Sequence, residues 1–338
     1  MPGPTVADLG EDDLLARLFP LLPAGAATAL GPGDDAAVLA APDARVVVTT
    51  DVLVEGRHFR LDWSDGQDVG WRAAVQNLAD VAAMGAVPTG IVVALVVPSV
   101  TPVAWVEGLA RGLAAACPHG VGVVGGDLSG GAQVVVSVTA LGDLQGRAPV
   151  LRSGARPGDV VAHAGVRGRS AAGHAWLAAG RAVPEPGAGD GPDVLDAAVG
   201  AAVLGYRRPV SPLHAGPLAA EAGASAMLDV SDGLLRDAGR LARASGVVVH
   251  LAEPDEVFGE DLAGLAPVAR ALGLDARRWV LAGGEDHGLL ATFPPGTPLP
   301  EPFRRIGIVA SADAPGAGTV TVGGRAPTGP VGWDHFRG

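Results

Sequence analysis

The apolar residues of this chain are parcelled into short runs, and that constrains its fold more than any other feature. The runs 91–97, 134–141, 160–164, 226–230 and 289–293 are separated by segments of helical spacing. In 68–84, for example, Trp71, Ala74, Val75, Leu78, Val81 and Ala82 share one face. Runs of this length suit buried strands, and strands alternating with helices define an α/β or mixed α+β class. No apolar run reaches the roughly 20 residues needed to cross a bilayer. The start, Met-Pro-Gly-Pro-Thr-Val-Ala-Asp, lacks the basic and apolar regions of a secretory signal. A soluble cytoplasmic protein is expected.

The same reading places helices at 11–22, 102–116, 170–179, 193–206 and 214–222. Further strands are expected at 36–39, 45–50, 121–124, 247–251, 279–282 and 305–309. The Pro- and Gly-rich stretch 182–192 reads as a mobile loop. Composition shifts to Arg, Pro, Ser and Gly over 147–159. With 338 residues and roughly 100–200 per domain, this predicts two domains, 1–148 and 149–338.

Charge excludes several function classes. There are 24 basic against 36 acidic residues, a formal net charge of −12. Such a surface is poorly suited to nucleic acid or an anionic membrane. Every basic residue is arginine, so a Walker-type phosphate loop, a Schiff-base lysine and a kinase strand lysine are all excluded. The single cysteine, Cys117, forbids an intramolecular disulfide, and its Leu-Ala-Ala-Ala-Cys setting marks a core residue. No His-Glu-x-x-His or Gly-x-Ser-x-Gly occurs, which argues against zinc hydrolysis and acyl transfer.

The acidic residues carry the chemistry. They stand beside glycine at the expected strand ends: Gly33-Asp34-Asp35, Thr49-Thr50-Asp51, Asn77-Leu78-Ala79-Asp80, Gly125-Gly126-Asp127, Asp229-Val230-Ser231-Asp232-Gly233 and Gly283-Gly284-Glu285-Asp286. Magnesium takes hard oxygen ligands, one or two carboxylates and phosphate oxygens. Glycines beside them let backbone N–H groups approach phosphate. Together these suggest a polyphosphate site built on metals instead of lysine. Each motif also has a plainer reading. Asp34-Asp35 fits a solvated turn, Thr49–Asp51 a strand terminus or helix cap, Gly125–Asp127 a bulged turn, and Ser231 or Asp232 a helix cap. Asp80, inside an otherwise apolar helix, needs a partner, and a cation serves. A lone histidine such as His58 is more often structural.

The order of the motifs is more specific than any one of them. Gly-x-Gly-Asp-Asp-Ala-Ala-Val, Thr-Thr-Asp-x-Leu-Val-Glu-Gly-x-His-Phe, Asn-Leu-x-Asp-x-Ala-Ala-Met-Gly, Gly-Gly-Asp, Arg152-Ser-Gly-Ala-Arg-Pro-Gly-Asp159, Asp-Val-Ser-Asp-Gly-Leu, Gly-Gly-Glu-Asp and a terminal Gly-Trp-Asp-His-Phe follow one another from Gly31 to Phe336. In this the chain resembles the thiamine-monophosphate kinases of the aminoimidazole ribonucleotide synthetase superfamily. The resemblance implies two α/β domains of that superfamily's type, with N-terminal domains pairing across a homodimer. It also implies transfer of phosphate from ATP to thiamine monophosphate, the last step of thiamine diphosphate synthesis, with several Mg2+ ions.

Carried over by motif, Asp35, Asp51, Asp80, Asp127 and Asp229 would be catalytic. The metal set would comprise Asp35, Thr49, Thr50, Asp51, Asp80, Asp127, Asp229 and Asp232. Gly126, Asp127, Arg152 and Ser231 would contact ATP, and His58, Glu285 and Trp333 would hold the thiamine phosphate. No nucleic acid or membrane partner is implied. This chain departs from the family pattern at Pro32, at Ala79 where serine is usual, and at His287-Gly288 where an aromatic and an acid are usual. His58-Phe59 and the terminal motif argue against an amidine-forming synthetase of the same superfamily. Retention of the acidic set argues against a non-catalytic nucleotide sensor.

Overall fold

The computed structural model describes residues 3–32, 36–184, 194–311 and 316–333. The chain divides into two compact units, Met1–Val81 with Ala86–Arg147, and Ala82–Gly85 with Ala148–Gly338.

The first unit begins with helices α1 (Val6–Leu9) and α2 (Glu11–Leu18), a 3-10 turn at Phe19–Leu21, and a two-stranded ladder of β1 (Thr28–Leu30) and β2 (Val38–Leu39). Strand β3 (Val47–Val54), helix α3 (Gly66–Ala83), β4 (Val87–Val97), α4 (Val103–Ala116), β5 (Gly122–Gly130) and β6 (Val135–Asp143) follow. The sheet order is β3-β6-β4-β5. Only β4 and β5 run parallel. Burial along β6 alternates, with Val136, Val138 and Ala140 buried, as expected of a sheet covered on one face. Helices α3 and α4 approach through glycine. A Cβ on Gly70 would stand 2.1 Å from the Leu109 carbonyl oxygen, and one on Gly112 2.1 Å from that of Gln67. Cys117 follows α4 directly, and burial pushes its thiol up to about 12.

The second unit holds β7 (Val160–Ala164), α5 (Arg169–Ala178), α6 (Val194–Arg207), α7 (Ala215–Glu221), β8 (Ala226–Val230) and α8 (Leu234–Ser245). It continues with β9 (Val248–Leu251), α9 (Pro254–Val257), α10 (Gly259–Leu272), α11 (Ala276–Ala282), β10 (Gly288–Phe293), β11 (Arg304–Ala310) and β12 (Val320–Val322). The sheet order is β12-β9-β11-β7-β10-β8, antiparallel except for β9 with β12. Strand β10 is buried along its whole length, which fits its nearly continuous apolar run, Thr292 being its one polar side chain. Phe293 meets Phe303 edge-on at 5.4 Å, a contact worth about 0.5–1.5 kcal/mol beyond burial. Among the described residues no helix is long and apolar enough to cross a membrane.

Several expectations are corrected. Residues 279–282 form the end of α11 instead of a strand. A four-residue apolar run does not distinguish the two, and Asp275 caps the helix by accepting from the Arg277 N–H at 2.9 Å. Thr49-Thr50-Asp51 lies inside β3, which continues to Val54 along the full length of β6. Gly125-Gly126-Asp127 lies inside β5, not between strands. The register slips at Val124, which supplies the bulge, and Gly126 is required because a Cβ there would sit 2.0 Å from the Val93 carbonyl oxygen. The helix expected at 11–22 ends at Leu18. Helix α10 was not expected, since Gly259, Gly264 and Pro267 interrupt its apolar pattern. The expected loop 182–192 falls largely on 185–193, and Asp34 and Asp35 on 33–35, outside the described residues.

Candidate active site

The first unit sets its acids among hydroxyl and amide groups. Side chains alternate along β3, so Thr49 and Asp51 face α3 while Thr50 points away. The Thr49 hydroxyl donates to Asp80 Oδ2 at 2.9 Å, and the Asp51 N–H donates to Asn77 Oδ1 at 2.9 Å. Asn77 is fully buried and donates through Nδ2 to the Ala73 carbonyl, also at 2.9 Å. It thereby registers β3 on α3, a role the sequence signalled only by an amide inside an apolar helix. The Thr50 hydroxyl is committed to the Val138 carbonyl. Ala79, the departure beside Asp80, is buried in the core.

Gly126 and Asp127 stand on β5, and across the sheet Asp51 pairs with Val138, Val138 with Val93, and Val93 with Gly126. Three strand spacings, about 14 Å, therefore separate the Asp51 and Gly126 positions. Among the described residues no three Asp, Glu, His or Cys side chains gather at one metal position. Beside Gly126 and Asp127 opens a mostly apolar cavity of about 580 Å³, lined also by Leu15, Leu18, Leu109 and Leu113. His58, half-buried in the loop after β3, accepts the Val54 N–H on Nδ1 at 2.9 Å. The neutral ring therefore carries its proton on Nε2, a donor suited to an anionic oxygen.

The second unit gathers its expected residues around the end of β8. Asp229 is buried at the strand end. The carbonyl of Ser231 accepts the Glu285 N–H at 2.7 Å, and the carbonyl of Asp232 accepts the Trp333 N–H at 2.9 Å. Neither Ser231 nor Asp232 caps α8, whose N-cap is Gly233 without a side-chain hydrogen bond. The backbone at 285–287 is unusual. Glu285 (φ 67°) and His287 (φ 52°) both adopt the left-handed region, a cost typical of functional sites. This turn sends Asp286 inward, where its carboxylate accepts from the Gly168 and Ser170 N–H groups at 2.6 and 2.8 Å, at the start of α5. Burial raises the Asp286 pKa, against the pull of the buried Arg167 beside it. Arg152 lies in an exposed turn whose carbonyl accepts from Ser245 Oγ at 2.9 Å. Trp333 is exposed at 47%.

The acids here face basic groups. His287 Nδ1 lies 3.4 Å from Asp229 Oδ2, and its Nε2 lies 3.6 Å from Glu285 Oε2. Burial alone would lower the His287 pKa, but the two carboxylates push it up to about 10. Arg240 donates to Asp232 and Asp237, 2.6 Å each. Burial and the Asp229 charge push Asp237 up to about 6. The other departure, Gly288, makes room for the buried His163 ring: a Cβ there would stand 2.6 Å from its Nε2. Arg240 and Asp237 escape sequence reasoning because their partners lie one to two helix turns away, and His287, marked there only as a departure, because its partner Asp229 is remote.

The family described as AIR synthase related protein, N-terminal domain, matches residues 33–144, so the first unit carries a domain of that type. Over 336 residues the chain is 46% identical to the thiamine-monophosphate kinase of Mycobacterium tuberculosis, covering 98% of this chain and 93% of that one. It is 41% identical to that of Corynebacterium glutamicum, over 99% and 96%. A solved structure of AaThiL complexed with AMPPCP and TMP superposes with a TM-score of 0.75 and 30% identity, covering 97% of both chains. The chain belongs to the thiamine-monophosphate kinase family.

Proposed function

We propose that this chain phosphorylates thiamine monophosphate to thiamine diphosphate at the expense of ATP. One observation carries the reading: the full-length likeness to a relative solved with AMPPCP and TMP together. The 46% identity to a kinase of the same family supports it. The acceptor is itself a phosphate, whose oxygen is nucleophilic near neutral pH. Catalysis then needs neutralisation of two repelling anions and in-line positioning more than a strong base. Transfer is direct, without a phosphorylated enzyme.

The residues divide this work. Gly126 and Asp127 would contact the ATP phosphates, and the apolar cavity beside them suits a nucleoside base. Arg152 offers the planar fork that pairs with phosphate oxygens, and Ser231 a hydroxyl. His58 donates Nε2–H to the acceptor phosphate, Glu285 attracts the cationic thiazolium, and the exposed Trp333 indole stacks on it.

The oxygen-only set of Thr49, Asp51 and Asp80, with the Thr50 backbone, fits a magnesium ion, and Asp35, Asp127 and Asp229 would serve further ions. Bound there, the metal supplies charge neutralisation for the polyphosphate. A homodimer through the N-terminal unit is supported by the exposed Val48 and Val52 of the edge strand β3 and Val46 just before it, an apolar row that favours burial. The cytoplasm is the expected compartment.

The test is ADP release with ATP and Mg2+, with and without thiamine monophosphate, the product being identified by mass. Acceptor-dependent ADP with thiamine diphosphate is expected. A folded, ATP-binding sample without acceptor-dependent turnover defeats the assignment. A phosphorylated enzyme trapped without acceptor defeats direct transfer.

A further inference from the structure

The motif comparison implies a metal ion at Asp232. The side chains around Asp232 do not fit one. Its Oδ2 accepts from Arg240 Nη2 at 2.6 Å, and Arg236 Nε stands 3.8 Å from the same atom. The other guanidinium nitrogen of Arg240, Nη1, holds Asp237 Oδ1 at 2.6 Å. Asp237 is fully buried, and its Oδ2 accepts the Asp232 N–H at 3.0 Å. Arg240 therefore bridges two carboxylates that are also joined through backbone. A divalent ion on Asp232 Oδ2 would have to displace this pair and leave Asp237 facing less positive charge, which is costly for a buried carboxylate.

We propose that Asp232 holds no magnesium ion in this protein, and that the Arg240 guanidinium is the fixed cation of the C-terminal acidic site. Arg240 acts as a positioning residue. It fixes Asp232, whose carbonyl receives the Trp333 N–H. The geometry explains why an arginine can stand here: its planar fork spans two carboxylates, as a point charge does not. This inference rests on the reading that the kinase uses divalent metal elsewhere in the chain.

The decisive measurement is the location and number of bound Mn2+ ions in the full-length protein with an ATP analogue, independent of turnover. In wild-type crystals, anomalous peaks are expected at Asp51 or Asp80 and none on the Asp232 carboxylate. A peak on Asp232 overturns the inference. In solution, Asp232→Asn is expected to bind as many Mn2+ ions by spin-resonance titration as wild type. Loss of an ion in that variant also overturns it. Arg240→Gln is expected to gain one ion that the double variant Asp232→Asn, Arg240→Gln lacks, whereas Arg240→Lys keeps the wild-type count. A folded Arg240→Gln protein that gains none counts against Arg240 as the substitute cation. Absence of any ion in wild type would defeat the metal reading instead, and the gain in Arg240→Gln would still decide this one.

Discussion

The two units of this kinase carry acids of the same type in opposite company. In the first, Asp80 accepts from the Thr49 hydroxyl, and the Asp51 backbone is tied to the Asn77 amide. In the second, Asp232 and Asp237 face Arg240, and Asp286 lies against Arg167. A carboxylate fixed by a neutral donor keeps its full charge and suits a cation that arrives with substrate. A buried carboxylate fixed by a guanidinium is already neutralised, and its work is to hold shape. A spacing such as Asp-x-x-Asp does not separate these cases; the partner does.

The comparison breaks most directly at Asp286, where the largest effect is expected. Its carboxylate serves two N–H groups at the start of α5 and lies 3.6 Å from Arg167, both side chains being buried. Asp286→Ala removes the carboxylate that acts most strongly on that buried arginine, together with two N–H acceptors, and is expected to cost about 3–5 kcal/mol of stability. Denaturant unfolding measures it, and a loss below about 1 kcal/mol would remove Asp286 from the structural class. Asp80→Asn should show the reverse. Asparagine keeps an oxygen for the Thr49 hydroxyl, so the fold is expected to survive, while kcat falls by about 10²–10³-fold, the scale of losing one electrostatic stabiliser of transferring charge. Near-normal turnover would show that the charge of Asp80 takes no part.

Trp333 tests the boundary between the classes, since it is exposed yet anchored through the Asp232 carbonyl. Trp333→Ala is expected to raise KM for thiamine monophosphate about tenfold, the loss of a contact worth roughly 1–2 kcal/mol, with little change in KM for ATP. An equal rise in both would mean that the residue props the backbone and does not touch the acceptor.

Much of this architecture was legible because it is local. The strands β7 and β8 fall on the expected residues 160–164 and 226–230, since each is a short, mostly apolar run (Val-Val-Ala-His-Ala and Ala-Met-Leu-Asp-Val) closed by glycine or serine. The Ser-Asp-Gly turn before α8 was readable for the same reason. What was hidden depends on contacts between remote segments. The Thr-Thr-Asp motif reads as a strand end until β6 is seen to continue beside it as far as Val54. His287 reads as a departure from the family pattern until Asp229, 58 positions away, is found facing it. Arg240 belongs to none of the motifs, and its role emerges only where the turn before α8 folds Asp232 onto its guanidinium.

The smallest effect is expected at Thr49, and it separates orientation from ligation in the first unit. Thr49→Val keeps the β-branched shape of a strand residue and removes only the hydroxyl that Asp80 accepts from. Loss of one partly buried hydrogen bond costs about 1 kcal/mol of stability. If the hydroxyl merely orients Asp80, kcat drops by about fivefold, the same energy expressed in the transition state, and the carboxylate still binds its cation. If the hydroxyl is itself a ligand, Thr49→Val falls as far as Asp80→Asn, and the number of bound Mn2+ ions falls with it. A loss equal to that of Asp80→Asn with an unchanged ion count would rule out ligation and exceed what one orienting hydrogen bond supplies. Asp80 would then depend on Thr49 for position as strictly as Asp286 depends on Arg167, and the contrast between the two units would no longer hold.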